Sequence, residues 1–318
     1  MYKKFLVSLF CLIPAVSYGD DLIATAQSTY DAVRIVCSGI SDEISRVSNV
    51  SKVNTAVTGA GTVAAGGALI AGAKKSSVEA EIDELAKQIC DAGGCDPNSV
   101  EAMTDEEFMN NVLIPMSQIA EKIELSEMLQ ESKQMGNWRT GLMVGTVGAN
   151  VASAILAGVN KDQSELVQHI QACNESVKSA RDMYKQLKQA GINPMEHSIG
   201  RKLAHINDAC NDINISDIEK IEKRMTGVMG TSIAGAVVGV AGVATSASAN
   251  SDKYMYSHNR LEMTDADRKK KDNLNKAANV MAGANVVTGA VETGLNISLI
   301  NLTKKLMAQA EQCEGAME

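Results

Sequence analysis

Tyr30, Val33, Cys37, Ile40, Ile44 and Val47 recur at alternating steps of three and four, the spacing of one face of an α-helix. Leu166, Ile170, Cys173, Val177, Ala180, Tyr184 and Leu187 keep that spacing over three heptads, which predicts a seam that closes on a partner helix. S/T-x-x-E boxes at Ser76 with Glu79, Thr104 with Glu107 and Ser216 with Glu219 read as helix starts, because hydroxyl and carboxylate together satisfy the first free amides. No run alternates apolar and polar residues as a strand would. The pattern predicts an all-α chain.

The stripes also repeat. Tyr30, Val33, Cys37 and Ile40 reappear as Leu203, Ile206, Cys210 and Ile213, and Leu166, Ile170 and Cys173 reappear as Leu306, Ala310 and Cys313. Each copy reads as flanking helix, apolar helix, connector, apolar helix, flanking helix, so the fold expected is two duplicated helical hairpins. Residues 20–192 form the first repeat, with an acidic connector at 74–139, and residues 193–318 form the second. Asn193-Pro194, after Gly191, separates them.

Four segments inside the repeats are apolar and rich in Gly and Ala: Val53–Ala73, Thr140–Asn160, Met225–Ser251 and Ala277–Thr303, the last broken by Glu292. At 1.5 Å per residue the first two would each reach roughly 30 Å, the thickness of a bilayer core. Each glycine costs about 1 kcal/mol of helix propensity, so something compensates. Small-residue stripes that let helices approach closely are the expected compensation, and Gly141 with Gly145 and Gly235 with Gly239 sit at the required spacing. The same stripes would also serve a soluble bundle.

Charges bracket these segments at Lys52, Lys74, Arg139, Lys161, Arg224 and Asp252, and Trp138, Tyr254 and Tyr256 stand at their ends. Four crossings would place Cys37, Cys173, Cys210 and Cys313 on one side, opposite Arg268-Lys269-Lys270-Lys271. The acidic connector with its Cys90/Cys95 pair counts against insertion, since that pair would face a reducing compartment. Glu292 aligns with Ala152 of the first repeat. In a spanning helix it would be a costly intramembrane carboxylate and a functional candidate; the plainer reading, preferred on sequence, is that it ends a shorter apolar stretch.

Residues 1–19 have a basic start (Lys3, Lys4), an apolar run and small residues at Ser17 and Gly19, the layout of a secretory signal cleaved near Gly19. Loss of the two lysines takes the formal charge from -8 to about -10, which argues against a nucleic-acid partner. Six cysteines then remain, an even set in an exported chain. Hairpin folding would pair Cys37 with Cys173 and Cys210 with Cys313, leaving Cys90 with Cys95; buried free thiols are the alternative.

Candidate chemistry changes little. Cys90 and Cys95 lack a second pair at zinc spacing, and His169, His197, His205 and His258 do not cluster. Asp91, Asp96 and Asn98 lack the pattern of a calcium loop. No nucleophile elbow, metalloprotease helix, Walker loop or dinucleotide turn occurs. With 3% aromatic residues the chain is poor material for a deep substrate pocket.

The expectation is therefore a non-enzymatic, exported cell-envelope protein, inserted in a membrane through its Gly/Ala-rich helical hairpins, with a scaffolding or protein-interaction role and without cofactor, metal or small-molecule substrate. Its partners would be the membrane and a protein, or a second copy, docked on the helix seams. Two alternatives stay open: a secreted soluble protein that inserts its apolar hairpins into a target membrane, and a purely soluble periplasmic bundle.

Overall fold

The computed structural model describes residues 20–89, 119–160, 162–210, 213–254 and 263–317. Among them every regular element is helical: α1 (Asp20–Cys37), α2 (Ile40–Ile89), α3 (Ile119–Val159), α4 (Ser164–Gln189), α5 (Ser198–Ala209), α6 (Ile215–Ala249) and α7 (Asp265–Gly315), with short 3-10 turns at Pro194–Glu196 and Asp252–Tyr254. The signal-like segment, Cys90, Cys95, Thr104, Glu107, Tyr256 and His258 lie outside the described residues.

Local chemistry sets the breaks. Gly39 takes a φ of +82° between α1 and α2, and Gly191 takes +78° after α4, a region open to glycine without a Cβ clash. At Gly191 the amides of Ile192 and Gly191 return to the carbonyls of Leu187 and Lys188, closing the helix end as a Schellman motif. Asp162 accepts the Ser164 amide ahead of α4, a bond that holds its exposed carboxyl below the usual range. The start of α6 differs from expectation: Asn214, not Ser216, accepts the first amide. Ser76 starts nothing, because it lies inside α2 and donates to the carbonyl of Gly72. A capping pair not foreseen opens α7, where Thr264 accepts the Asp267 amide and donates to its carboxylate.

The helices form two compact units. Unit 1 comprises Met1–Asn49, Asp162–Glu222 and Ile300–Glu318; unit 2 comprises Val50–Lys161 and Lys223–Leu299. Each unit thus draws on both sequence repeats.

Unit 1 has a conventional core. Tyr30, Val33, Ile44, Leu166, Ile170, Val177, Leu203, Ile206 and Leu306 are all buried, as the stripes require. On α4 the seam deviates at one point: Met183 is buried where the heptad pointed to Tyr184, whose ring instead lies under Lys188 Nζ at 4.7 Å. Disulfides join Cys37 to Cys173 and Cys210 to Cys313. The two cystines are neighbours, with the sulfurs of Cys37, Cys173 and Cys313 within 4.8 Å of one another. Sulfurs held in disulfides offer no thiolate to a metal.

Unit 2 is a bundle of four helical segments whose register can be read from paired residues. Along α2 and α3, Gly61 meets Ala149, Gly72 meets Arg139, and Glu79 meets Ser132, so the two run antiparallel. Along α2 and α7, Asn54 meets Asn296, Gly72 meets Asn279, and Glu79 meets Asn275, again antiparallel. Along α3 and α6 the pairs are Gly136 with Asn250, Val147 with Gly239 and Ser153 with Ser232. Its apolar contacts use small or flexible side chains, such as Ala68, Met143 and Ala282 with Leu142, Val243 and Met281 around them.

Candidate functional site

The interior of unit 2 sets many polar side chains among small and flexible apolar ones. Asn54 and Thr58 on α2, Arg139, Thr146, Asn150 and Ser153 on α3, Ser232 and Ser246 on α6, and Lys271, Asn275, Asn285, Glu292 and Asn296 on α7 are all buried. The exterior is apolar: apart from Ile35 and Met195, every large hydrophobic side chain that stands exposed among the described residues belongs to this unit, including Val63, Ile70, Ile155, Val159, Val237, Val280 and Val287. A water-soluble helix places these classes the other way round.

One end of the polar axis is a charged network drawn from all four helices. Glu79 is its centre. Its Oε1 lies 3.3 Å from Lys75 Nζ and 3.2 Å from Lys271 Nζ and accepts from Ser132 Oγ at 3.2 Å; its Oε2 accepts from Asn275 Nδ2 at 2.9 Å. Arg139 donates from Nε to Ser246 Oγ at 2.9 Å and from Nη2 to Asn275 Oδ1 at 3.0 Å, while its Nη1 is buried without an acceptor. Lys75 Nζ donates to Asn250 Oδ1 at 2.6 Å, and Asn250 in turn donates to Thr140 Oγ1 at 3.2 Å. Three buried cations therefore surround one buried carboxylate. Loss of hydration lowers the Lys75 pKa to about 8, Glu79 opposes the shift, and the charges of Arg139 and Lys271 reinforce it. Burial also lowers the Lys271 pKa, again opposed by Glu79. Burial lowers that of Arg139 too, although a guanidinium stays protonated at any physiological pH. Toward the periphery Asp83 sits 3.7 Å from Arg268 Nε, and Lys74 pairs with Glu131 at 2.5 Å.

The second feature is Glu292, fully buried on α7. Its Oε1 accepts from Ser153 on α3 and from Ser232 on α6, the latter at 2.6 Å, and its Oε2 meets no partner. Between the two features, Asn150 Nδ2 faces Asn285 Oδ1 at 3.5 Å; beyond Glu292, Asn54 donates to Asn296 at 3.3 Å.

The residues singled out by sequence fare unequally here. A Cβ on Gly235 would stand 2.6 Å from Asn150 Nδ2, and one on Gly239 would stand 2.6 Å from Val147 Cγ2, so both glycines admit close neighbours. Gly141 and Gly145 depart from expectation: a Cβ at either would meet nothing within 4 Å, because that face of α3 points away from the bundle. The tight approach of α2 to α3 falls at Gly61, where a Cβ would lie 2.8 Å from that of Ala149. Trp138 is exposed and Tyr254 is buried.

Sequence alone does not reveal the charged network, because Lys74 and Arg139 read as charges that bracket apolar segments. The available signal is helical phase: Lys75 and Glu79 are one turn apart on a single face of α2. No family model matches this chain, and no curated protein or solved structure shows significant similarity to it.

Proposed function

We propose that the chain is a non-enzymatic, exported cell-envelope protein that inserts unit 2 into a membrane and keeps the disulfide-closed unit 1 in an oxidising compartment for scaffolding or protein interaction. The observation that carries this is the outward face of unit 2, where valines and isoleucines stand exposed while amides, hydroxyls and charges are buried beside small apolar side chains. Full exposure of such a side chain to water forgoes about 1.5–3 kcal/mol relative to burial. In hydrocarbon the exposure costs nothing, whereas every inward amide and hydroxyl must find a partner within the bundle.

Three helical stretches, Asp21–Lys87, Leu125–Gln189 and Ile215–Ala249, are long and apolar enough to cross a membrane. The α7 segment is not among them; its polar residues Asn285, Glu292 and Asn296 face inward, where the other three segments shield them. The buried cations and the exposed Arg268, Lys269 and Lys270 gather at the connector end, which suits that end to the cytoplasmic face.

Carbonate extraction of membranes from expressing cells tests the proposal. Retention in the pellet with release by detergent is expected; recovery in the soluble fraction would overturn it. The polar α7 gives weight to a second reading, in which a secreted soluble form stores the hairpins and inserts them into a target bilayer. That reading requires a soluble monomer that makes liposomes leak.

A further inference from the structure

Each sequence repeat contributes one cystine to unit 1, built from equivalent positions. Cys37 ends α1 and Cys210 follows α5, while Cys173 lies on α4 and Cys313 in the last turn of α7. Each bond therefore ties together helices of one repeat. Folding then brings the two cystines face to face. Cys313 Sγ lies within 4.8 Å of both Cys37 Sγ and Cys173 Sγ, and the Cys210 sulfur stands outside that group. All four cysteines are buried.

Thiol–disulfide exchange needs a thiolate, a disulfide sulfur within its reach and a second thiolate that leaves. A Cys313 freed from its partner would face the Cys37–Cys173 bond across a gap that a side-chain rotation closes to the roughly 3–3.5 Å of a reacting pair. Burial keeps small thiols of the solvent from competing for that bond. The turn that carries Cys313 is held to its neighbours by few bonds. The amide and hydroxyl of Ser41 donate to the Glu314 carboxylate, and the Tyr30 hydroxyl donates to the Met317 carbonyl at 2.7 Å. Local opening of those three bonds is the route by which a reductant reaches Cys313.

We propose that Cys313 is the exchange nucleophile of a two-cystine redox unit. A dithiol reductant opens the Cys210–Cys313 bond, gives it two electrons and itself becomes a disulfide, which leaves a Cys210 thiol and a Cys313 thiolate. That thiolate forms a bond to one sulfur of Cys37–Cys173. The old bond breaks, and its electron pair leaves on the other sulfur, which takes up a proton. One bond between the repeats thus replaces two bonds within them, tying α7 to α1 or α4 and releasing the end of α5. The exchange concerns unit 1 alone and holds whether or not unit 2 enters a membrane.

The test maps disulfides in the full chain, held in mild detergent without denaturant at mildly alkaline pH, then acid-quenched, alkylated, digested and read by mass spectrometry. In Cys210→Ser, Cys313 should be linked to Cys37 or Cys173. In Cys313→Ser, the Cys37–Cys173 bond should persist with Cys210 as a free thiol. Random pairing in an unfolded chain predicts the reverse, because Cys210 is much nearer than Cys313 to Cys173 in sequence and closes a shorter loop. Cross-linked Cys313 in the first variant should exceed cross-linked Cys210 in the second by about tenfold or more. A free Cys313 beside an intact Cys37–Cys173 bond, or equal cross-linking in the two variants, would overturn the proposal. Should circular dichroism show that either variant has not folded, the native protein decides: dithiothreitol is raised until one disulfide per molecule is lost, and the surviving bond is mapped. Cys313 joined to Cys37 or Cys173 supports the exchange, and survival of the original pairs alone refutes it.

Discussion

Lys271 Nζ of α7 lies 3.2 Å from Glu79 Oε1 of α2, and both side chains are buried in unit 2. Lys75 faces the same oxygen from one turn away, so Glu79 holds two ammonium groups within reach of a third buried cation, Arg139. Removal of the shared carboxylate and removal of one surplus cation should then have very different costs.

Glu79→Gln removes the carboxylate that all three buried cations face, leaving Asp83 and Asp272 to act on Lys271 alone, and should destabilise the protein by about 3–5 kcal/mol. Lys75→Met keeps the Lys271–Glu79 pair, removes one unbalanced charge and deprives Asn250 of a donor, so it should cost about 1–2 kcal/mol. Denaturant unfolding of both variants measures the difference, and equal losses would contradict a carboxylate-centred network.

The same lysine predicts a pH dependence. Its folded pKa is about 8 against a reference value of 10.5, so between those limits the unfolded chain binds more protons than the folded one. Stability should rise as pH increases from about 8 to 10.5, with the penalty for the buried charge fully present below pH 8. Unfolding at pH 7.5 and 10 should show the gain in the native protein and a smaller one in Lys75→Met, where the lowered pKa of Lys271 still contributes with the same sign.

The cystines make a third prediction. Cys37 and Cys173 are 136 residues apart and Cys210 and Cys313 are 103 apart, so each bond restrains a long loop in the unfolded chain, worth about 4–5 kcal/mol on the chain-entropy argument. Cys37→Ser/Cys173→Ser should lower stability by that order. Because these sulfurs are buried, thiol labelling after mild reductant should stay low for all four cysteines in the native protein and rise once denaturant opens unit 1.

Glycine replacement separates close packing from mere composition. At Gly61 a methyl would meet the Cβ of Ala149, which cannot rotate away, so Gly61→Ala should cost about 1–3 kcal/mol. Gly141→Ala enters open space and should stabilise by up to about 1 kcal/mol through helix propensity. Thermal melts of the pair check the order.

These contrasts mark what the sequence made legible. Periodicity found the unit 1 core and, with the repeat, the Cys37–Cys173 and Cys210–Cys313 partners, because apolar stripes in a disulfide-closed core follow the ordinary rule of burial. In unit 2 that rule misleads. Arg139, which brackets an apolar segment, turns inward, and Val63 turns outward. The Ser76/Glu79 box was spent on a helix start, although Glu79 is a mid-helix ion-pair centre. Gly141 and Gly145 had the right spacing on the wrong face of α3, since spacing fixes a stripe but not its direction. Glu292 could be noticed from composition, but Ser153 and Ser232 come to it only through the register of three helices.

Whether acyl chains cover the outward face of unit 2 is tested most directly by a single tryptophan at its centre. Val63 is 77% exposed in the first apolar segment, and Trp138 is the chain's sole tryptophan. In Val63→Trp/Trp138→Phe, reconstituted in vesicles, the account predicts blue-shifted emission that lipids brominated on their acyl chains quench and acrylamide does not. Red-shifted emission, quenched by acrylamide and indifferent to brominated lipid, would contradict insertion.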